Sequence, residues 1–178
     1  VTASIVLVVM VWMQYGFFGD FLTSVVGDAK VQARVAQILG DGAKNLSPEQ
    51  AAAHIFGYTC INDVTAVEIL KKDPTFDQWS RSKSYDTFGV FGPVIATGLD
   101  PATLVIRTVL NGQERQNYPA SDMFFPPARL VSLISQDLTF AAGGVICCGT
   151  SVGVGSMKPG SDVAVSIEGI GELANRFE

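Results

Sequence analysis

The sequence predicts an α+β fold, mainly β, and three observations carry that prediction. Apolar residues alternate with polar ones over short runs, as in Val163, Val165 and Ile167. Eighteen glycines and scattered prolines punctuate those runs with turns. Helical signals are few, and two stand out, at residues 47–56 and 125–136. A chain of 178 residues, 48% apolar and 16% charged, is expected to form one globular domain over residues 1–178. There are no repeats and no linker. The net charge of −5, with no Lys/Arg block, argues against a nucleic-acid partner.

The elements follow in order. The opening run VTASIVLVVMVWM is too short for a membrane span, and the first basic residue is Lys30, so it lacks the n-region of a signal peptide. It reads as a buried strand or a poorly matched terminus, which points to a cytoplasmic protein without a membrane partner. In SPEQAAAHIF, Ser47 caps, Pro48 opens the helix, Gln50 completes a capping box, and Gly57 is expected to stop it. A short buried strand follows, ending at Asn62-Asp63. TLVIRTVLNGQERQN (103–117) reads as a hairpin through Asn111-Gly112. FPPARLVSLISQ predicts a helix with Leu130, Leu133 and Ile134 on one face. VICCGT predicts a buried strand entering a glycine-rich loop, and DVAVSIEGIGELANRF two strands joined at Gly169–Gly171.

Three cysteines, Cys60, Cys147 and Cys148, are an odd number without zinc spacing. Neighbours on a strand face opposite ways, so Cys147 and Cys148 are not expected to join; buried free thiols are. Asp63 must have a partner, because an isolated ionised carboxylate is costly to bury. From chemistry alone, Lys83 in WSRSKSYDTFGVFGP reads as a solvated lysine beside a fixed loop. His54, the only histidine, is expected in the core or on the surface rather than in catalysis. GTSVGVG (149–155) lacks the Lys-Ser/Thr of a phosphate loop and opens no helix. It reads instead as a strand-end turn that brings backbone amides, Gly149 among them, and the Thr150 hydroxyl close to a ligand.

In order along the chain, GYTCINDVTA, KSYDTFGVFGP, the NGQERQ hairpin, VICCGTSVGVG and IEGIGELANRF resemble the fumarylacetoacetate hydrolase family. The likeness is good over residues 38–178 and poor over 1–37, which read either as divergence or as a truncated or frameshifted segment. The resemblance implies a mixed β-roll, usually dimeric, that binds Mg²⁺, Mn²⁺ or Ca²⁺ through carboxylates. It implies hydrolysis, decarboxylation or tautomerisation of small 2-oxo or β-diketo acids, whose enolate-like charge a hard cation stabilises. By position, Asp63 matches the metal-ligating aspartate and Lys83 the active-site lysine. Thr87 matches a threonine near the same site, and Thr150, beside Gly149, matches the substrate-contacting threonine.

The departures point the other way. Gln32 and Arg34 stand where the family has a Glu-x-Glu metal pair. Val67 and Leu70 replace a substrate-contacting arginine and glutamine, while Ser151 and Gly144 depart from two further loop motifs. No counterpart is visible for the segment that supplies another acidic ligand and the catalytic histidine. Metal binding is therefore expected to be weakened or lost. The alternative to an enzyme is an inactive, dimerising remnant in which Asp63 and Lys83 form an internal ion pair that Arg34 could join.

Overall fold

The computed structural model describes residues 29–40 and 42–178. The apolar run expected as a buried strand lies outside the described residues. Two strands, β1 (Ala29–Val31) and β2 (Ala33–Leu39), lead to helix α1 (Pro48–Ala53). Its capping box is formed as expected: the Gln50 amide N–H donates to the Ser47 hydroxyl, and the Ser47 N–H donates to the Gln50 side chain.

The far end of α1 differs from expectation. His54 caps the helix and Ile55 already opens β3 (Ile55–Asn62). Leu39 pairs with Ile55 and Ile38 with Gly57, so Phe56 bulges out of the ladder into solvent. Gly57 is therefore not a helix stop. A Cβ there would lie 2.6 Å from the Ala96 carbonyl oxygen, so glycine lets the next strand approach.

After β3 come β4 (Thr65–Ala66), the short helices α2 (Val67–Leu70) and α3 (Trp79–Lys83), and β5 (Val90–Ala96). The FGVFGP stretch thus enters a strand rather than a loop. The hairpin of β6 (Val105–Leu110) and β7 (Gln113–Pro119) turns on Asn111 at φ 50 and Gly112 at φ 78, both left-handed as a type I′ turn requires. Helix α4 (Pro127–Asp137) buries Leu130, Val131 and Ile134, while Leu133 is half-buried. Four strands complete the chain: β8 (Val145–Cys147), β9 (Gly155–Met157), β10 (Ser161–Ile167) and β11 (Gly171–Phe177).

The described strands form three sheets, in the orders β4-β1-β9, β11-β10-β6-β7 and β5-β3-β2-β8. The main core lies between the two four-stranded sheets. Tyr58 and Cys60 of β3 meet Ile106, Tyr118, Val165, Ile167 and Leu173 there. Burial of such an aliphatic side chain contributes about 1.5–3 kcal/mol. A second core joins α1 and α4 to β2 and β8 through Leu39, Ala51, Val131, Ile134 and Ile146. Mainly β with a few helices is what the sequence predicted. The three cysteines are buried and none forms a disulfide among the described residues. No helix among the described residues is long and apolar enough to cross a membrane.

For the site, the decisive feature is the position of β3. It runs between β2 and β5 and is buried from Gly57 to Asn62, so its end delivers Asp63 into the interior.

Candidate functional site

Asp63 is fully buried at the bend between β3 and β4, where its backbone N–H donates to the Gln32 carbonyl at 3.1 Å. Two residues on, Thr65 turns its hydroxyl to the same side. Helix α3 brings Lys83 to both: its ammonium donates to Asp63 Oδ2 at 2.6 Å and to the Thr65 hydroxyl at 2.8 Å. Lys83 is only 1% exposed, so the reading of a solvated lysine is overturned. The physical reason lies twenty residues upstream, where the carboxylate supplies the counter-charge that makes burial tolerable. An exposed pair, Lys71 with Asp77 at 2.8 Å, ties α2 to the start of α3, and Gln78 N–H donates to the Leu70 carbonyl.

Gln32 reaches the same corner, donating from Nε2 to the Thr65 hydroxyl at 3.1 Å. Thr65 is thus the shared acceptor of the site, a residue the sequence reading passed over. The i, i+2 alternation from Asp63 was the available signal. The side chain of Arg34 lies outside the described residues. Leu70 is buried and Val67 half-buried at the start of α2.

Thr87 adopts φ +68, a left-handed conformation rare for a β-branched residue. It lines a cleft of about 420 Å³ with Asn62, Val64, Phe88, Asn175 and Phe177. Asn62 and Val64 flank Asp63 in sequence and face the opposite way, so the cleft and the ion pair lie on two sides of one strand end. Asn62 Oδ1 and Asn175 Oδ1 are buried in this region and find no hydrogen-bond partner among the described residues.

Thr150 belongs to a separate corner. Gln116 of β7 donates from Nε2 to the Thr150 hydroxyl at 3.0 Å, to the Ser151 carbonyl at 3.1 Å and to the Val152 carbonyl at 3.2 Å. Gly149 beside it is exposed, with φ +64. Gln116 was not singled out from the sequence; its only signal was a polar residue on the inward face of the predicted hairpin. Upstream on β3, burial pushes the Cys60 thiol up to about 11 and the Tyr58 phenol up to about 12.

A divalent ion of the hard class takes a shell of oxygen ligands, with carboxylates prominent. Among the described residues no cluster of three His, Cys, Asp or Glu side chains could hold a metal. The Asp63 carboxylate is engaged by an ammonium group, and Gln32 offers an amide whose N–H points into the corner. These residues do not by themselves fit a divalent ion.

The two packed four-stranded sheets, with a strand end that buries a carboxylate against a lysine, define a mainly-β roll built around an internal charged site. The family described as Fumarylacetoacetate (FAA) hydrolase C-terminal matches residues 22–178, upstream of residue 38 as well as beyond it. The chain belongs to the fumarylacetoacetate hydrolase family, whose members typically depend on a divalent metal. The oxaloacetate tautomerase YisK of Bacillus subtilis is 33% identical over 172 residues, spanning 89% of this chain and 56% of that protein. The crystal structure of 5-carboxymethyl-2-hydroxymuconate delta-isomerase from Mycobacterium smegmatis superposes with a TM-score of 0.81 at 38% identity, over 85% of this chain and 59% of that one. For 2-hydroxyhepta-2,4-diene-1,7-dioate isomerase from Mycobacterium marinum the TM-score is 0.79 at 39% identity, over 83% and 57%. The chain thus spans little more than half the length of these relatives.

Proposed function

We propose that this chain forms the catalytic part of an enzyme that interconverts the keto and enol forms, or the double-bond isomers, of a small 2-oxo acid, with oxaloacetate as the first substrate to test. The observation that carries this reading is the buried Lys83, fixed at 2.6 Å from Asp63 and 2.8 Å from Thr65. Removing a proton next to a ketone moves negative charge onto the ketone oxygen. A preorganised ammonium group in a site of low dielectric stabilises that charge far better than water does. Asp63 and Thr65 hold Lys83 in place, while Thr150 and Gly149 supply donors for the substrate carboxylate. Tautomerisation asks only for proton transfer and charge stabilisation, so it is the reaction least dependent on a histidine that activates water. The tautomerase and the two isomerases among the similar proteins support the same class. A homodimer is the proposed assembly; the described residues do not complete the shell of the divalent ion on which the family typically depends.

The test is the decay of enol oxaloacetate absorbance with the purified chain, before and after Lys83→Met. Catalysis above the buffer rate that falls at least tenfold in the variant supports the reading. A parent chain no faster than buffer, with or without added Mg²⁺ or Mn²⁺, overturns it. The competing reading, a non-catalytic remnant, is favoured by one feature: the Asp63–Lys83 pair lies wholly in the interior, with side chains 0% and 1% exposed. Unchanged low turnover in Lys83→Met would favour that reading.

A further inference from the structure

The glycine-rich loop that carries Thr150 has no regular structure of its own between β8 and β9, yet it is anchored. We propose that Gln116 is the positioning residue of this loop: one amide group on β7 latches residues 150–152 and aims the Thr150 hydroxyl at the substrate. The proposal rests on the reading above in taking Thr150 as a substrate contact.

Several observations converge on the latch. Gln116 is 3% exposed and sits directly across the hairpin from Thr108, whose hydroxyl donates to Gln116 Oε1 at 3.2 Å. That bond orients the amide so that Nε2 faces the loop. The opposite orientation would set Oε1 against the carbonyl oxygens of Ser151 and Val152, so the donor must be on the loop side. Three acceptors within 3.2 Å then share one amide nitrogen.

The loop also presses on β7 by a different route. Gly153 has φ +95, and a Cβ there would collide with the Arg115 carbonyl oxygen and lie 3.2 Å from the Gln116 side chain. Loop backbone lies on strand backbone at this point, which only glycine permits. The segment is therefore a fixed wall of the site and not a lid.

The consequence for chemistry concerns the Thr150 hydroxyl. The bond from Gln116 fixes the Thr150 hydroxyl oxygen on the half-buried side of the loop, next to the exposed Gly149. A hydroxyl and a backbone amide held side by side suit an anionic oxygen of a 2-oxo acid.

The test uses the full chain with Gln116→Leu, Gln116→Glu and Gly153→Ala, reading hydrogen-exchange protection of residues 149–154 and oxaloacetate kinetics. In Gln116→Leu, exchange in the loop is expected to rise about tenfold or more with β10 unchanged, and KM to rise more than kcat falls. Gly153→Ala, which lifts the loop without altering the amide, should reproduce the KM change. Gln116→Glu gives the reading that a packing role would not. As a carboxylate it faces acceptors and should loosen the loop; once protonated at lower pH it regains one O–H to donate, and protection factors should recover. Gln116→Leu shows no such recovery. Loop protection equal to the parent in Gln116→Leu, or a Gln116→Glu variant indifferent to pH, overturns the proposal. Should the parent fail to turn over oxaloacetate, the functional reading falls while the exchange measurements still decide the latch.

Discussion

Two buried polar corners hold the candidate residues, and they are built on opposite principles. At the end of β3, Asp63 and Lys83 meet as full charges with Thr65 between Lys83 and Gln32. At the glycine-rich loop, Thr150 is held by a neutral chain of hydrogen bonds running from Thr108 through Gln116. Charge stored in a dry interior is expensive to leave uncompensated, whereas a neutral latch loses only its hydrogen bonds. The first corner therefore suits a site that must meet developing charge, and the second suits one that must hold a shape.

The strongest way to break this contrast is to remove one charge. Asp63→Ala or Lys83→Ala should each destabilise the fold by about 3–5 kcal/mol, because each removes the counter-charge that compensates a buried charge. The joint replacement Asp63→Leu with Lys83→Met should recover most of that loss, to within about 1 kcal/mol of the parent. Urea unfolding of the three variants checks this. Additive losses in the double variant would show that the two charges are not coupled.

Weaker by design, the pH response probes β3 just upstream of the charges. Burial raises Cys60 from its ordinary value to about 11 and Tyr58 to about 12, with Cys148 and Asp100 adding to the latter. Both groups are neutral when protonated, so the folded state holds their protons more tightly than the unfolded chain does. Their contribution is complete below about pH 9 and is lost as the pH rises through 11 and 12. Melting temperatures should thus be flat near neutrality and fall above pH 9. A Cys60→Ala variant should soften the fall, and an identical alkaline profile in that variant would remove Cys60 from the account.

How much of this contrast was legible beforehand depends on how local each signal is. The Asn111-Gly112 hairpin and the Ser47 capping box are decided within four residues, and both formed as read. The end of α1 was misread because the Leu39–Ile55 pairing that ends the helix comes from a strand sixteen residues earlier. Lys83 read as solvated because its partners stand eighteen and twenty residues upstream, and only the resemblance to a family linked it to Asp63. Gln116 gave only the signal of a polar residue on an inward face, because its acceptors come more than thirty residues later. Residues whose role lies in a distant partner are the ones a local reading misses.

Thr87 offers a smaller test on the cleft side of the same strand end. Holding a β-branched residue at φ +68 costs about 1–3 kcal/mol, some of which glycine would relieve. Thr87→Gly is expected to stabilise the fold by up to about 1 kcal/mol after the added freedom of the unfolded chain is deducted. If Thr87 serves the site, the same variant turns over substrate more slowly, so stability and activity move in opposite directions. A variant both less stable and fully active would show that the backbone strain has no link to function.

The smallest effect is expected where charge pairing looks the same on paper but sits in water. Lys71 and Asp77 meet at 2.8 Å with side chains 62% and 38% exposed, a contact close in length to that between Lys83 and Asp63. Solvent screening leaves such a pair worth at most about 1 kcal/mol. Lys71→Ala should therefore shift the urea midpoint only slightly, and 0.5 M salt should erase the difference. Against the loss expected from Lys83→Ala, this comparison isolates burial as the variable, because distance and charge type are nearly matched. Equal losses at the two sites would mean that the interior corner is as well solvated as the surface, and its claim to stabilise an enolate would go with it.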